Sequence, residues 1–349
     1  MSSVDLHGKC VIEVLSAHYH QVTETLMNLP TIEELDLNTF EVVDTTNNGF
    51  RKVGRFVETP SVKAMRPVFG VLCRTAPRAA SHVVYALLTR PPRATERPWQ
   101  KQLRKDAKER WTVTIGKKRV NVYAWGRGPT VLMVHGWGAG AVHMGKMIEP
   151  IVNAGFRVVS FDALGHGQSS GRSTDLMEFA SSIVKVWRQI GEVHTVLAHS
   201  FGVAMTLWAQ RDWGVNARQQ ILFSSFNHCK WFTEEFGRLM NVSTEVMEMG
   251  REMMEIRYNM RIDWNRLSVV EMLRNSSTPT LLVHDRHDEE VPFAHCIELA
   301  RVKPDSRLHI TTGKGHHRLL GDQAVINSVI QYLREHNNSN EKMTPIHQN

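Results

Sequence analysis

The stretch "VLAHSFGVAM", residues 196–205, decides the fold. It is a run of small and apolar residues that one histidine and one serine interrupt. Residues 195–198 have the character of a short buried strand, and residues 203–210 have that of a helix. Ser200 is therefore expected on a sharp strand-to-helix turn. Such a turn crowds the backbone and favours Gly-x-Ser-x-Gly, which here is "AHSFG", residues 198–202. The pattern alone leaves two roles for the serine, a nucleophile or a helix cap.

The composition is that of a globular protein, with 349 residues of which 42% are hydrophobic and 22% charged. This length accommodates one large α/β domain or two smaller ones. Charged residues interrupt the first thirty positions and no run of eighteen apolar residues occurs, so neither a signal peptide nor a membrane-spanning helix is predicted. Four separated cysteines without Cys-x-x-Cys spacing predict neither a disulfide framework nor a zinc site. A reducing, cytoplasmic location is expected.

The net charge of +7 is concentrated in residues 90–119, which hold eleven Lys and Arg against three Asp and Glu. A basic segment of this kind attracts phosphate groups or an anionic membrane surface. The other interpretation is a solvated helix face that leads into the fold. It is favoured because no aromatic platform or known nucleic-acid module accompanies the segment. We expect no nucleic-acid partner, and peripheral membrane contact through residues 90–119 stays open.

From Trp111 onward the sequence alternates between strand and helix patterns. "WTVTI" and "RVNVYAW", separated by Gly116-Lys117, predict a β-hairpin. Amphipathic helices such as 175–190 and 323–334 separate most of the later strands. Those strands are 131–134, 157–161, 195–198, 220–223, 280–283 and 307–310. This order predicts a mostly parallel α/β sheet with helices on both faces, in which ligands bind at the carboxyl ends of the strands.

Every candidate functional residue follows one of these strands. "HGWGAG" (135–140) follows the first parallel strand, "DALGHGQSSG" (162–171) follows the second, and Ser200 follows the third. "HDRHDEEVP" (284–292) and "GKGHHRLL" (313–320) follow the last two strands. A serine, an acid and a histidine thus occur in this order on separate loops, which is one of the known orders of a catalytic triad.

The chain resembles the α/β-hydrolases of the single-domain bacterial serine esterase type from about residue 65 to residue 336. The resemblance rests on the motifs that hold the serine, the acid and the histidine, together with the "AWGRGPTVLMVHGWG" segment. The resemblance implies that Ser200 is the nucleophile, His316 the base and Asp288 the acid that orients it. It also implies an oxyanion hole built from the backbone N–H groups of Trp137 and Phe201. No cofactor and no metal ion are expected.

Two of these assignments have neighbouring competitors. His317 adjoins His316, but the family places its histidine directly after a glycine, here Gly315. Asp285 precedes Asp288, but the family's acid stands three residues before a valine, as Asp288 does. Ala198 departs from the glycine of the turn motif, although alanine is the next smallest residue. Three further histidines are interpreted as structural parts of tight loops, namely His135, His166 and His199.

The resemblance also divides the chain. We predict a leader of unknown role (1–60), a helical, basic lead-in (61–110), an α/β-hydrolase domain (111–336) and a polar tail (337–349), with a cap inserted at about 226–277. The cap is rich in methionine, and flexible thioethers such as those of Met247 and Met254 would form a pliant wall for an acyl chain. At helical spacing, packing of the cap against the sheet is an equally good interpretation.

The predicted function is hydrolysis of carboxylic esters with an apolar acyl part, through an acyl-enzyme on Ser200. A thioesterase or acyltransferase would use the same residues, and the basic segment would then hold a phosphate-bearing carrier. A non-catalytic binding protein on the same fold is the third alternative. The sequence gives no indication of the oligomeric state.

Overall fold

The computed structural model describes residues 42–44 and 60–341. The strands are β1 (Val42–Asp44), β2 (Glu109–Ile115), β3 (Lys118–Trp125), β4 (Thr130–Val134), β5 (Arg157–Asp162), β6 (Val193–His199), β7 (Ala217–Phe223), β8 (Thr280–Asp285) and β9 (Arg307–Thr311). The α-helices are α1 (Pro60–Thr75), α2 (Pro77–Leu88), α3 (Pro98–Lys105), α4 (Ile148–Asn153), α5 (Leu176–Ile190), α6 (Phe201–Trp213), α7 (Cys229–Met240), α8 (Thr244–Arg257), α9 (Val269–Arg274), α10 (Phe293–Val302), α11 (Gly315–Arg318) and α12 (Gln323–Glu341).

The strands form one sheet in the order β1-β9-β8-β7-β6-β4-β5-β3-β2. From β1 across to β5 all neighbouring strands are parallel, whereas β3 pairs antiparallel with both β5 and β2. The predicted mostly parallel α/β sheet is therefore confirmed. The hairpin turns at Gly116, whose φ of +57° suits glycine in a tight turn.

The central strands read as apolar runs because they are covered on both faces. All seven residues of β6 are buried, as are all six of β8. Continuous apolar strands are typical of parallel sheets between helices. The helix α5 begins where the Asp175 carboxylate accepts the backbone N–H of Glu178 as an N-cap, within one residue of the start predicted from the amphipathic pattern.

Helices from two distant parts of the chain pack together above the sheet. The cap insertion supplies α7 and α8, which contact α1 and α2 respectively. The helices α2 and α8 are in van der Waals contact, since a Cβ on Gly250 would lie 3.5 Å from Cγ1 of Val84. The lead-in segment therefore contributes two helices to the cap layer.

Most of the leader and residues 342–349 of the tail lie outside the described residues. The exception in the leader is β1, which pairs with β9 at the edge of the sheet. Among the described helices, none combines the length and the apolar character needed to cross a bilayer.

Candidate active site

Ser200 lies in a strained turn between β6 and α6. Its φ of 53° and ψ of −123° are rare for a residue with a side chain, and its N–H donates to the carbonyl oxygen of Phe223 at 2.8 Å. Glycine is required two residues later, because a Cβ on Gly202 would lie 2.4 Å from the carbonyl oxygen of His135. Ala198 is fully buried in β6, so its methyl group is accommodated there. The turn motif thus has a steric basis in this chain.

The hydroxyl of Ser200 does not cap the helix that follows it. Ser200 occupies the N-cap position of α6, yet its side chain accepts no capping hydrogen bond. By contrast, the cap residues Asp175, Ser243 and Ser268 each accept a backbone N–H. The helix-cap role is therefore excluded for Ser200.

His316 and Asp288 form a buried pair at the ends of β9 and β8. Nδ1 of His316 lies 2.7 Å from Oδ2 of Asp288, and their side chains are 5% and 0% exposed. The other oxygen of Asp288 accepts the backbone N–H groups of Glu290 and Val291, both at 2.9 Å. Burial raises the pKa of Asp288, but its hydrogen bond and charge interaction with His316 outweigh this and leave it below its ordinary value. A carboxylate thus faces one ring nitrogen of His316.

The neighbouring residues have other partners. His317 is half-exposed and places Nε2 3.0 Å from Oε1 of Glu290. Asp285 accepts the hydroxyl of Thr311 and the backbone N–H groups of His287 and Lys314. Asp285 therefore holds two loops together, and the geometry favours Asp288 and His316 as the pair.

His199, the residue before the Ser200 turn, contacts His316. Its Nε2 donates to the carbonyl oxygen of His316 at 3.0 Å, and the two rings lie 4.6 Å apart between centroids. Because His199 directly precedes Ser200, this bond fixes the position of the His316 backbone relative to the turn. The sequence interpretation of His199 as a structural residue did not include this contact.

The loop after β4 passes beside Ser200. A Cβ on Gly136 would lie 3.2 Å from Cβ of Ser200, and the next residue is Trp137. The ring of Trp137 packs against that of Phe201 with centroids 5.0 Å apart. As the first residue of α6, Phe201 has a backbone N–H without an acceptor inside the helix. Both residues of the expected oxyanion hole therefore flank Ser200.

Two other histidines hold these loops in place. Nε2 of His135 accepts the N–H of Ala163, and Nε2 of His166 accepts the N–H of Gly138, both at 3.0 Å. The Nδ1 atoms of these two rings donate to backbone carbonyl oxygens. Burial lowers the pKa of His166 to about 3, which keeps its Nε2 available as an acceptor. Both rings have the structural role that the sequence analysis predicted.

A narrow cavity of about 20 Å³ lies under the cap beside Trp137 and Phe201. Met254 lines it, together with aromatic side chains that include Phe232 and Trp264. Met247 does not line it, because its thioether lies against Gly237 and packs α8 on α7. The two methionines singled out in the sequence thus have different surroundings.

A larger cavity of about 530 Å³ is separate from the narrow one, since the two share no lining residue. Its wall includes His143 and His317, the neighbour of His316. Three cationic side chains also line it, namely Arg97, Lys146 and Arg318. Arg97 belongs to the basic segment 90–119, so part of that segment faces this cavity.

Two family models match parts of the chain. Residues 129–212 match the family described as alpha/beta hydrolase fold, and residues 250–344 match the family described as TAP-like protein. No curated protein matches the sequence.

Solved structures are similar at low sequence identity. A bromoperoxidase from Bacillus anthracis superposes with a TM-score of 0.51 at 16% identity, covering 65% of this chain and 100% of that one. A thermophilic esterase from Thermogutta terrifontis gives 0.50 at 17% identity, covering 65% and 99%. An esterase from Exiguobacterium antarcticum gives 0.50 at 19%, covering 64% and 98%. At such identities the likeness shows the fold alone.

The sheet order, the turn at Ser200 and both family matches agree with one another. The chain belongs to the α/β-hydrolase superfamily.

Proposed function

We propose that the protein is a serine hydrolase that cleaves carboxylic esters through an acyl-enzyme on Ser200. The observation that carries this proposal is the pairing of buried His316 with Asp288, while His316 contacts His199, the residue before a strained serine whose hydroxyl does not cap its helix. Superfamily membership supports a hydrolase, and the esterases among the similar folds are consistent with this substrate class.

In the proposed mechanism the hydroxyl of Ser200 attacks the ester carbonyl carbon and passes its proton to Nε2 of His316. The N–H groups of Trp137 and Phe201 stabilise the negative charge on the carbonyl oxygen. Collapse of this intermediate breaks the ester C–O bond, and His316 returns the proton to the departing alcohol. Water then repeats the sequence on the acyl-enzyme and releases the acid. Asp288 holds the ring of His316 and stabilises its cationic form.

The narrow cavity beneath the cap suggests that the acyl part is short. Its volume of about 20 Å³ is only slightly above the roughly 10–15 Å³ that a cavity needs to hold one water molecule. A long acyl chain would require movement of the cap side chains Phe232 and Met254. We therefore expect 4-nitrophenyl acetate to give a higher kcat/KM than the octanoate.

The test is labelling with a fluorophosphonate probe, with the modified peptide located by mass spectrometry. We expect a label on Ser200 and none in Ser200→Ala. Ser243→Ala is the matched control, because that serine only caps α8 through its hydroxyl. Absence of label from the wild-type protein would contradict the proposal and favour a non-catalytic binding protein.

A thioesterase or acyltransferase is the second candidate. The three cations in the wall of the 530 Å³ cavity, against one carboxylate, favour it, since phosphate groups of a carrier such as coenzyme A would bind Arg97, Lys146 and Arg318. If so, acyl-CoA turnover should exceed that of the matched simple ester at low salt and fall as salt screens the charges. Equal salt dependence for both substrates would contradict this second candidate and favour the ester hydrolase.

A further inference from the structure

Three histidines that are far apart in the sequence meet beside the candidate active site. One ring nitrogen from each of His143, His199 and His317 lies within 4.8 Å of the other two. His143 follows β4, His199 ends β6 and His317 lies in α11 after β9. The carboxyl ends of parallel strands bring these segments to one edge of the sheet.

Two of the rings hold buried nitrogens that no group among the described residues satisfies. Nε2 of His143 and Nδ1 of His199 have no hydrogen-bond partner in the described part of the chain. Because Nε2 of His199 donates to the carbonyl oxygen of His316, its Nδ1 carries a lone pair. An unsatisfied buried polar atom costs stability, so a bound partner at this place would recover free energy.

The third ring is oriented by a carboxylate and reaches solvent. Nε2 of His317 lies 3.0 Å from Oε1 of Glu290, and the His317 side chain is 54% exposed. A carboxylate that holds the far nitrogen of a histidine is the usual support of a metal ligand. His143 and His317 both line the 530 Å³ cavity, which provides an entry path.

We propose that His143, His199 and His317 bind a first-row transition-metal cation, with Zn²⁺ as the reference ion. Imidazole nitrogens suit such ions, and three of them with one water complete a tetrahedral Zn²⁺ site. Zn–N bonds of about 2.0–2.1 Å place tetrahedral ligand nitrogens about 3.3–3.4 Å apart, so a pair near the 4.8 Å limit must come closer. The half-exposed ring of His317, on a four-residue helix, can supply this movement.

Metal binding has a consequence that rests on the proposed function. His199 directly precedes Ser200 and donates a hydrogen bond to the backbone of His316. A cation bound to the ring of His199 therefore disturbs the positions of both residues. We expect Zn²⁺ to inhibit ester hydrolysis and a chelator to restore it.

The test is calorimetric titration of the full chain with Zn²⁺ at neutral pH, for wild type, His143→Phe and His317→Ala. His82→Ala is the matched control, because His82 is an exposed histidine on α2. The chain has 18 histidines, so the criterion is the loss of one binding equivalent rather than the total number. Visible absorption of Co²⁺ in the same variants reports whether histidines coordinate the ion.

We expect wild type, His82→Ala and Ser200→Ala each to bind one equivalent of Zn²⁺ that His143→Phe and His317→Ala do not bind. Glu290→Gln should weaken that equivalent by about 10–100-fold, the usual effect of removing a supporting carboxylate. Because Ser200→Ala is included, binding is measured independently of hydrolysis. The proposal is overturned if wild type lacks this equivalent, or if folded His143→Phe and His317→Ala retain it.

Discussion

At the residue scale, Gly202 offers a direct test of the steric basis of the turn. A Cβ at this position would lie 2.4 Å from the carbonyl oxygen of His135 and 2.9 Å from that of Val134. Gly202→Ala is expected to lower the free energy of unfolding by about 2 kcal/mol or more, because neither backbone oxygen can move freely. Urea denaturation measures this change.

Gly250→Ala provides the control with the same added methyl group. Gly250 lies inside α8, and a Cβ there meets its nearest neighbour at an ordinary 3.5 Å. This variant should gain roughly 0.4–1 kcal/mol from the reduced entropy of its unfolded state. Equal effects of the two substitutions would contradict the steric argument.

Two aspartate variants separate the roles of Asp288 and Asp285. Asp288→Asn should lower kcat by about 10⁴-fold, as expected for the acid of a serine–histidine–acid triad, while the fold persists. Asp285→Asn should instead destabilise the fold by about 1–3 kcal/mol. The new amide group would face two donors, the hydroxyl of Thr311 and the backbone N–H of Lys314. Steady-state kinetics with thermal unfolding distinguishes these results. The reverse pattern would identify Asp285 as the acid.

Much of the candidate site could be named from the sequence because it consists of short motifs that directly follow strands. Ser200, Asp288 and His316 stand on such loops, and their catalytic roles stay predictions. His143 could not be found in this way, because no local pattern connects it to His199 or His317. Only the packing of distant loops brings those three rings together.

At the scale of helices, one hydrogen bond ties the end of α8 to the start of α5. The hydroxyl of Tyr258 donates to Oδ2 of Asp175 at 2.6 Å, and that aspartate lines the narrow cavity. Tyr258→Phe should cost about 1.5–3 kcal/mol of local stability, the usual value for a hydrogen bond to a charged group. Hydrogen exchange of α7 and α8 should accelerate accordingly.

Tyr85→Phe is the matched control, since the Tyr85 hydroxyl accepts from Arg257 at an exposed position. Its loss should change exchange by less than about 0.5 kcal/mol. If both variants left α7 and α8 equally protected, the Tyr258 bond would not hold the cap.

The methionines of the cap show where a helical pattern stops being informative. Met240, Met247 and Met254 recur every seven residues, and all three are buried. Met247 and Met254 lie on one buried face of α8, but Met240 is the last residue of α7, so the seven-residue periodicity continues across the break between two helices. It does not say which neighbour covers each side chain, because Met247 meets Gly237 whereas Met254 reaches the cavity.

At the scale of the whole molecule, buried neutral histidines make stability sensitive to acid. Burial lowers the pKa of His143, His166 and His295 to about 3 and that of His228 to about 4. An unfolded histidine titrates near 6.5, so below that pH the unfolded state binds more protons. Stability should therefore fall between pH 6.5 and about 4, by up to roughly 1.4 kcal/mol per pH unit for each group.

His295→Phe tests this slope, because the ring of His295 packs edge-on against Trp231 and phenylalanine preserves that contact. Urea midpoints measured across this pH range should decline less steeply in the variant. His82→Phe, at an exposed position, should leave the slope unchanged. A steep decline that persists in His295→Phe would assign the acid sensitivity to other groups.

The mostly parallel character of the sheet could be predicted from alternating strand and helix patterns, because buried parallel strands are short, apolar and separated by helices; the order of the strands within the sheet could not. The prediction places β4 and β8 within two residues of their observed ends. The edge strand β1 lacked such a pattern, since three residues are too few to show one. The partners of α1 and α2 depend on packing that no local periodicity records.

The composite cap has a consequence for synthesis on the ribosome. About 140 residues separate the end of α2 from the start of α7, so the first half of the cap emerges long before its partner. At about 5–20 residues per second this delay is roughly 7–30 s. During that interval Val84 and Leu88, buried in the finished protein, lack the surface that covers them. The nascent chain therefore presents an apolar helix pair to chaperones, or to other nascent chains, before the cap can close.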